Sequence, residues 1–196
     1  MPRARARDHD AKRAAILKGA ARVFAREGYA RASMAQVARE CRVSKATLYH
    51  YHDSKDALLF DILDSYLSDL RARLCDAPLP HAPEAELRAF ATATLLAYEG
   101  MDDEHRIQIE GMAVLPPERR EVLKGYQRDM VRTLSQILHR AAPTLDATRL
   151  RQATMSVFGM LNWFYMWHPE ADRGAREDYA RTVAVIALGG IGDLSG

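Results

Sequence analysis

Between Ser44 and Lys55 the chain concentrates side chains that can grip and read a polyanion: Lys45, Ala46, Thr47, Tyr49, His50, Tyr51 and Lys55. On a helix turning 100° per residue, Leu48 and His52 share one face, Ala46 and His50 point away from it, and Thr47 and Tyr49 lie on the flanks. Leu48 is therefore the inward anchor, and the others are free to meet a ligand. Thr47 and Ala46 suit contact with a thymine methyl, and His50 and Lys45 can hydrogen-bond guanine. Tyrosine hydroxyls such as that of Tyr49 reach phosphate. Tyr51 either does the same or fills the small core with its ring.

Such a face needs short, capped helices to hold it. Ser44 is an N-cap residue for a helix running to about His52, and Ser33 caps a short preceding helix that carries Val37, Ala38 and Cys41. Upstream, Ile16, Leu17, Ala20, Val23 and Phe24 recur at helical spacing across 10–27, and Gly28 supplies the stop. Two short helices joined by a tight turn and supported by a third have the anatomy of a helix-turn-helix, whose second helix enters the major groove. Charge agrees. Residues 1–55 carry 13 Lys or Arg against 5 Asp or Glu, while the remainder is net −6, so one end of the chain is built for a polyanion. Arg3, Arg5 and Arg7 form either a minor-groove arm or a solvated tail.

The rest of the chain also reads as helix. Leu58, Leu59, Ile62, Leu63, Tyr66, Leu67, Leu70 and Leu74 make a broad apolar stripe on a long helix starting near Lys55. Pro78, Pro80 and Pro83 then break the chain, and further helices are expected at about 84–100, 104–114, 117–141, 146–167 and 175–189. Nothing reads as a strand, so the fold is all-α with about nine helices. With 196 residues the chain can bury a sizeable core, and two cysteines are too few for a disulfide framework or a zinc site. No stretch of about 18 apolar residues occurs, so neither secretion nor membrane spanning is expected and a reducing, cytoplasmic setting fits. No cofactor is implied.

The run from Ser44 through Leu58, together with Phe24, Ala25, Arg26, Glu27, Gly28, Tyr29, Ser33 and Met34, resembles the TetR family of bacterial repressors over residues 12–63. The resemblance implies a helix-turn-helix DNA-binding domain with a basic arm (1–54), a connecting helix (55–77), a Pro-rich linker (78–83) and a helical ligand-binding and dimerisation domain (84–196). It places Lys45, Thr47, Tyr49, His50 and Tyr51 at DNA-facing positions, with Ser33 and Ala46 completing the set, and puts Lys55 on backbone phosphate. Two positions depart from the family. Arg42 stands where the turn usually has Gly, and an arginine at positive φ costs about 1 kcal/mol or more, which leaves another turn geometry open. His52 replaces an inward Phe, so its ring needs a local hydrogen-bond partner and is read as structural in preference to a pH sensor.

Family members carry a ligand cavity between helices and pair their last two helices across a two-fold axis. In this sequence Met155, Phe158, Met160, Leu161, Trp163, Phe164, Tyr165, Met166 and Trp167 leave little of the 146–167 helix polar. A covering surface, either a second subunit or a ligand, is the economical inference. The phrase Gly159, Met160, Leu161, Asn162, Trp163, then Trp167 and Pro169, resembles TetR-type regulators of fatty-acid, sterol and phenylacetate degradation that respond to coenzyme A thioesters. The chain as a whole is similar to repressors released by phenylacetyl-CoA. That resemblance implies basic residues for phosphates, for which Arg106, Arg119, Arg120, Lys124 and Arg128 are available. It also implies an apolar slot, with Met112, Leu115, Phe158, Asn162 and Trp163 as wall residues.

The reading is thus a homodimeric repressor that leaves a palindromic DNA operator when a small effector binds. A drug-efflux type of repressor sensing an unrelated hydrophobic compound is the alternative, and a helical enzyme or adaptor is a more distant one. Catalysis finds little support. His50 and His52 point about 160° apart and cannot share a metal. Asp102, Asp103, Glu104 and His105 read as a helix N-terminus, where carboxylates favour the dipole.

Overall fold

The computed structural model describes residues 2–193 apart from 79 and 81. Among them are nine helices and no strand: α1 (Pro2–Glu27), α2 (Met34–Glu40), α3 (Lys45–Tyr51), α4 (Lys55–Cys75), α5 (Pro83–Ala97), α6 (Asp102–Val114), α7 (Pro117–Ala141), α8 (Ala147–Trp167) and α9 (Arg173–Asp193). The all-α expectation holds.

Most helix ends follow local chemistry. Ser33 and Gln36 form a reciprocal capping box at α2, and Ser44 Oγ accepts from Thr47 N at 3.0 Å to start α3. Proline occupies the first position of both α5 and α7, where its missing N–H costs nothing. Asp146 caps α8 by accepting from Arg149 N at 2.9 Å. Two ends differ from the sequence-based expectation. The backbone of α1 is helical from Pro2, where a minor-groove arm or an unstructured solvated tail was expected, because the run is rich in the strong helix formers Arg and Ala. At the other end α9 runs through Gly189 and Gly190 to Asp193 in place of stopping at 189. Ile191 is buried there, and that anchor offsets the roughly 1 kcal/mol each glycine costs a helix.

By compactness the chain forms two units, Met1–Leu67 with Asp103–Leu123, and Ser68–Asp102 with Lys124–Gly196. In the first, the α1 stripe (Ile16, Leu17, Ala20, Val23, Phe24), Val37 and Ala38 of α2, Leu48 of α3 and the first half of the α4 stripe are buried. Leu48 is the one buried side chain of α3, so the seating of that helix rests on it. Gly19 permits a close approach: a Cβ there would lie 2.4 Å from Cys41 Sγ. The acidic start of α6 is indeed a helix N-terminus, and its two buried polar groups are matched. Glu104 accepts from Lys18 Nζ at 3.0 and 3.1 Å, and His105 Nδ1 lies 3.0 Å from the Tyr66 hydroxyl.

In the second unit Leu87, Phe90, Ala91 and Leu95 of α5 are buried with Leu134, Ile137 and Leu138 of α7, Val157, Leu161 and Phe164 of α8, and Ala180, Val183 and Ala184 of α9. Buried charge is matched here too. Glu86 accepts from Arg140 Nε at 3.0 Å. Arg176, only 3% exposed, donates to the carbonyls of Leu95 and Ala171, each at 3.1 Å. A cation on the last carbonyls of α5 also suits the negative end of that helix.

Candidate functional site

The outward face of α3 forms as its spacing predicts. Leu48 is fully buried, while Lys45, Ala46, Tyr49 and His50 are exposed, Tyr49 at 47%. Thr47 is half-buried, with its hydroxyl 2.8 Å from Ser44 Oγ. Tyr51 is also half-buried, its ring 4.7 Å from that of His9 and 5.7 Å from that of His50, so the α1 side of the unit braces it. Ser33 sits at the surface but commits its hydroxyl to the capping box of α2.

Lys55 is placed differently from the phosphate contact anticipated for it. Its ammonium donates to the carbonyls of Tyr29 at 2.9 Å, Ala30 at 3.3 Å and Ala32 at 3.0 Å, and lies 4.4 Å from the centre of the Tyr29 ring. An ammonium has three protons, and all three are spent on carbonyls. Next to it Tyr29 donates its hydroxyl to Asp56. Burial, reinforced by that carboxylate, holds the Tyr29 phenol well above its usual range, which keeps it a neutral donor. Lys55 and Asp56 together pin the turn after α1 to the start of α4, and thereby fix where α2 begins.

Arg42 keeps the turn geometry that a glycine would take. Its φ is 54°, Val43 N donates to Ala38 O at 3.0 Å and Arg42 N to Arg39 O at 3.1 Å, the paired bonds of a Schellman cap on α2. No alternative turn is adopted, and the strain is borne by an exposed arginine beside the start of α3. His52, at 2% exposure, finds its partner on α4, with Nδ1 3.2 Å from Asp61 Oδ2. Asp61 also accepts from Arg13 at 3.0 Å. The hydrogen bond from His52, with Arg13 adding to it against the opposing effect of burial, holds the Asp61 carboxyl below its usual value. Nε2 of His52 is buried and has no partner among the described residues. Asp61 has no signal in the sequence, since it is a polar position off the apolar α4 stripe, nine residues from its histidine.

The residues assigned to an effector are distributed over both units. Arg106, Met112, Leu115, Arg119 and Arg120 belong to the first unit, where Leu115 is buried and the Arg119 guanidinium lies 5.2 Å from the Phe60 ring centre. Lys124, Arg128, Phe158, Asn162 and Trp163 belong to the second. There Phe158 meets Phe90 edge-on at 6.0 Å, and Asn162 Oδ1 accepts from the buried Tyr98 hydroxyl at 2.6 Å. Trp163 does not join that wall. It is 59% exposed, alongside Met155, Met166, Trp167, Val185 and Ile186, each at least half exposed. Among the described residues no group of three or more His, Cys, Asp or Glu could hold a metal, and no helix is long and apolar enough to cross a membrane.

Similarity to other proteins follows these two regions. Over 168 residues, 80% of this chain and 76% of the other, the sequence is 27% identical to the HTH-type transcriptional regulator BetI of Agrobacterium fabrum. Other relatives are spanned over as little as 19% of their own length. Among solved structures, a TetR-family transcriptional regulator from Bordetella parapertussis superposes with a TM-score of 0.81 at 29% identity, covering 90% of this chain and 93% of that one. AibR, solved in complex with isovaleryl coenzyme A and operator DNA, gives 0.73 at 26% identity over 89% and 97%. Residues 16–62 match the family described as bacterial regulatory proteins, tetR family, and residues 80–191 match the tetracyclin repressor-like C-terminal domain. The first match takes in the exposed outward face of α3 and the second spans α5 to α9, so the chain belongs to the TetR family and is a DNA-binding transcriptional regulator.

Proposed function

We propose that the chain is a homodimeric repressor that binds a two-fold operator through α3 and leaves it when an acyl-coenzyme A thioester binds. The observation that carries the DNA reading is the outward set Lys45, Ala46, Tyr49 and His50, with half-buried Thr47 on its flank, on a helix anchored by one buried leucine. Lys45 and the tyrosines serve phosphate, and His50 with Ala46 and Thr47 serves base edges. Lys55 acts one step back, as a positioning residue. It holds the start of α4 against the α1–α2 turn.

The dimer reading rests on the exposed apolar side chains of α8 and α9. Trp163, Trp167, Met166 and Val185 at 52–66% exposure are more apolar surface than a monomer normally leaves in water, and a second copy covers such a face symmetrically. The effector reading is supported by the likeness to AibR, whose bound molecule is isovaleryl coenzyme A. Ligand binding would favour a dimer whose two reading helices no longer match successive major grooves, a population shift that needs only a difference in affinity between two states.

The test is fluorescence anisotropy with DNA from upstream of the chain's own gene at two salt concentrations, titrated with phenylacetyl-CoA, isovaleryl-CoA and a long-chain acyl-CoA. Tight, salt-sensitive binding released by a thioester is expected. Binding that none of them disturbs would reject the thioester and favour another hydrophobic effector. Equal affinity for random DNA would reject the operator reading.

A further inference from the structure

One feature of the second unit is left over: an open groove of about 930 Å³ between the facing sides of α7 and α8. Its walls carry Lys124, Arg128 and Arg132 on α7 and Arg151 on α8, and among the described residues no carboxylate lines it. Positions 124, 128 and 132 stack on one side of a helix, where like charges repel and a bound anion would relieve the repulsion. Arg132 has a carboxylate nearby, Asp129 at 3.4 Å, but Asp129 is shared with Arg71. Lys124 and Arg151 have no ion pair among the described residues. The same groove has apolar floor from Leu150 and from Met155, which is 50% exposed.

We infer that this α7–α8 groove takes the phosphate-bearing end of the effector, with Lys124, Arg128, Arg132 and Arg151 as its ligands. The inference rests on the thioester reading and locates it. Coenzyme A carries a pyrophosphate and a ribose phosphate on one end and an uncharged arm on the other. That pattern matches four cations beside Leu150 and Met155, and the volume is that of a small-molecule site. Arg106, Arg119 and Arg120 line none of it. The competing occupant is a second copy of the chain, since Met155 also belongs to the exposed apolar face. A groove with cations on both walls and no carboxylate among its described lining residues fits a polyphosphate better than it fits an apolar helix face.

The experiment compares the full chain with the Lys124→Gln, Arg151→Gln double variant, which removes one cation from each wall at exposed positions with no ion pair to break. Calorimetric titrations use free coenzyme A, phenylacetyl-CoA and isovaleryl-CoA at two salt concentrations, and sedimentation gives the oligomeric state. Expected is a thioester affinity that falls with salt, and a double variant at least about tenfold weaker for free coenzyme A and thioester alike, with its oligomeric state and operator binding unchanged. Equal thioester binding by both proteins would overturn the groove as the phosphate site while leaving the effector reading standing. A variant that loses its dimer but keeps its thioester affinity would assign the groove to the second copy and overturn the inference. If the full chain binds no thioester, the effector reading itself fails and the groove assignment falls with it.

Discussion

Arg42→Gly should make the protein more stable and its grip on DNA weaker, and the two effects have separate causes. At φ 54° an L-residue bears a cost of about 1–2 kcal/mol that glycine does not. Glycine returns about 0.5–1 kcal/mol of that through the greater freedom of its unfolded chain. The arginine side chain is exposed and makes no ion pair among the described residues, so its removal breaks none. The net gain is about 0.5–1 kcal/mol, which for a chain of this length raises Tm by roughly 1–4 °C. Arg42→Asn, which tolerates the left-handed region without the added freedom, should gain a similar amount, and Arg42→Lys should gain nothing. Denaturant midpoints of the three variants give the ordering. DNA titrations over a salt series give the second effect: loss of a cation beside α3 should lower the salt slope by about one in the Gly and Asn variants and leave it intact in the Lys variant. A glycine variant no more stable than the arginine protein would refute the strain argument. An unchanged salt slope would remove Arg42 from the interface.

Three further outcomes follow from the same geometry. Gly19→Ala should destabilise the chain by about 1–3 kcal/mol despite alanine's better helix propensity, because its Cβ would lie 2.4 Å from Cys41 Sγ; adding Cys41→Ala should restore the loss, measured as a double-mutant cycle by urea unfolding. Asp61 has a folded pKa below its unfolded value near 4, so its contribution is present above about pH 4 and is lost as pH falls through the lower folded value. Asp61→Asn should therefore lower stability at neutral pH and flatten the fall in urea midpoint on acidification; an identical acid limb in the two proteins would exclude the His52–Asp61–Arg13 network as its source. Lys55→Met should cost about 2 kcal/mol or more by leaving three carbonyls unmatched, and should leave the salt slope of the DNA bound by the remaining folded protein unchanged. A slope smaller by about one would return Lys55 to the phosphate contact the family pattern implies.

Much of the DNA-facing unit was legible because its determinants are local. Ser33 with Gln36 and Ser44 with Thr47 are caps formed within four residues, and Leu48 is the inward side of a seven-residue helix whichever way it docks. The periodic leucines of α4 likewise need only the helix period to be assigned to one stripe. At Arg3, Arg5 and Arg7 the backbone is helical for a local reason as well, since the helix propensity of the run outweighs its charge. The effector residues were legible only as types. Their chemistry fits a polyanionic, apolar-tailed ligand, yet nothing in their order separates Arg120 from Lys124, which fall in different compact units.

By itself, then, the amino-acid order determined the helices, their caps and the outward set on α3, because those depend on interactions spanning three or four residues. Tertiary structure alone decided where the long polar side chains end. Lys55 turned to carbonyls 23 to 26 residues upstream, and Lys18 met Glu104 across 86 residues. His52 found Asp61 on the next helix, Arg176 reached the end of α5, and the left-handed Arg42 closed the α2 cap. A long flexible side chain has many rotamers of nearly equal energy, and what selects one is the buried partner that folding brings to its tip.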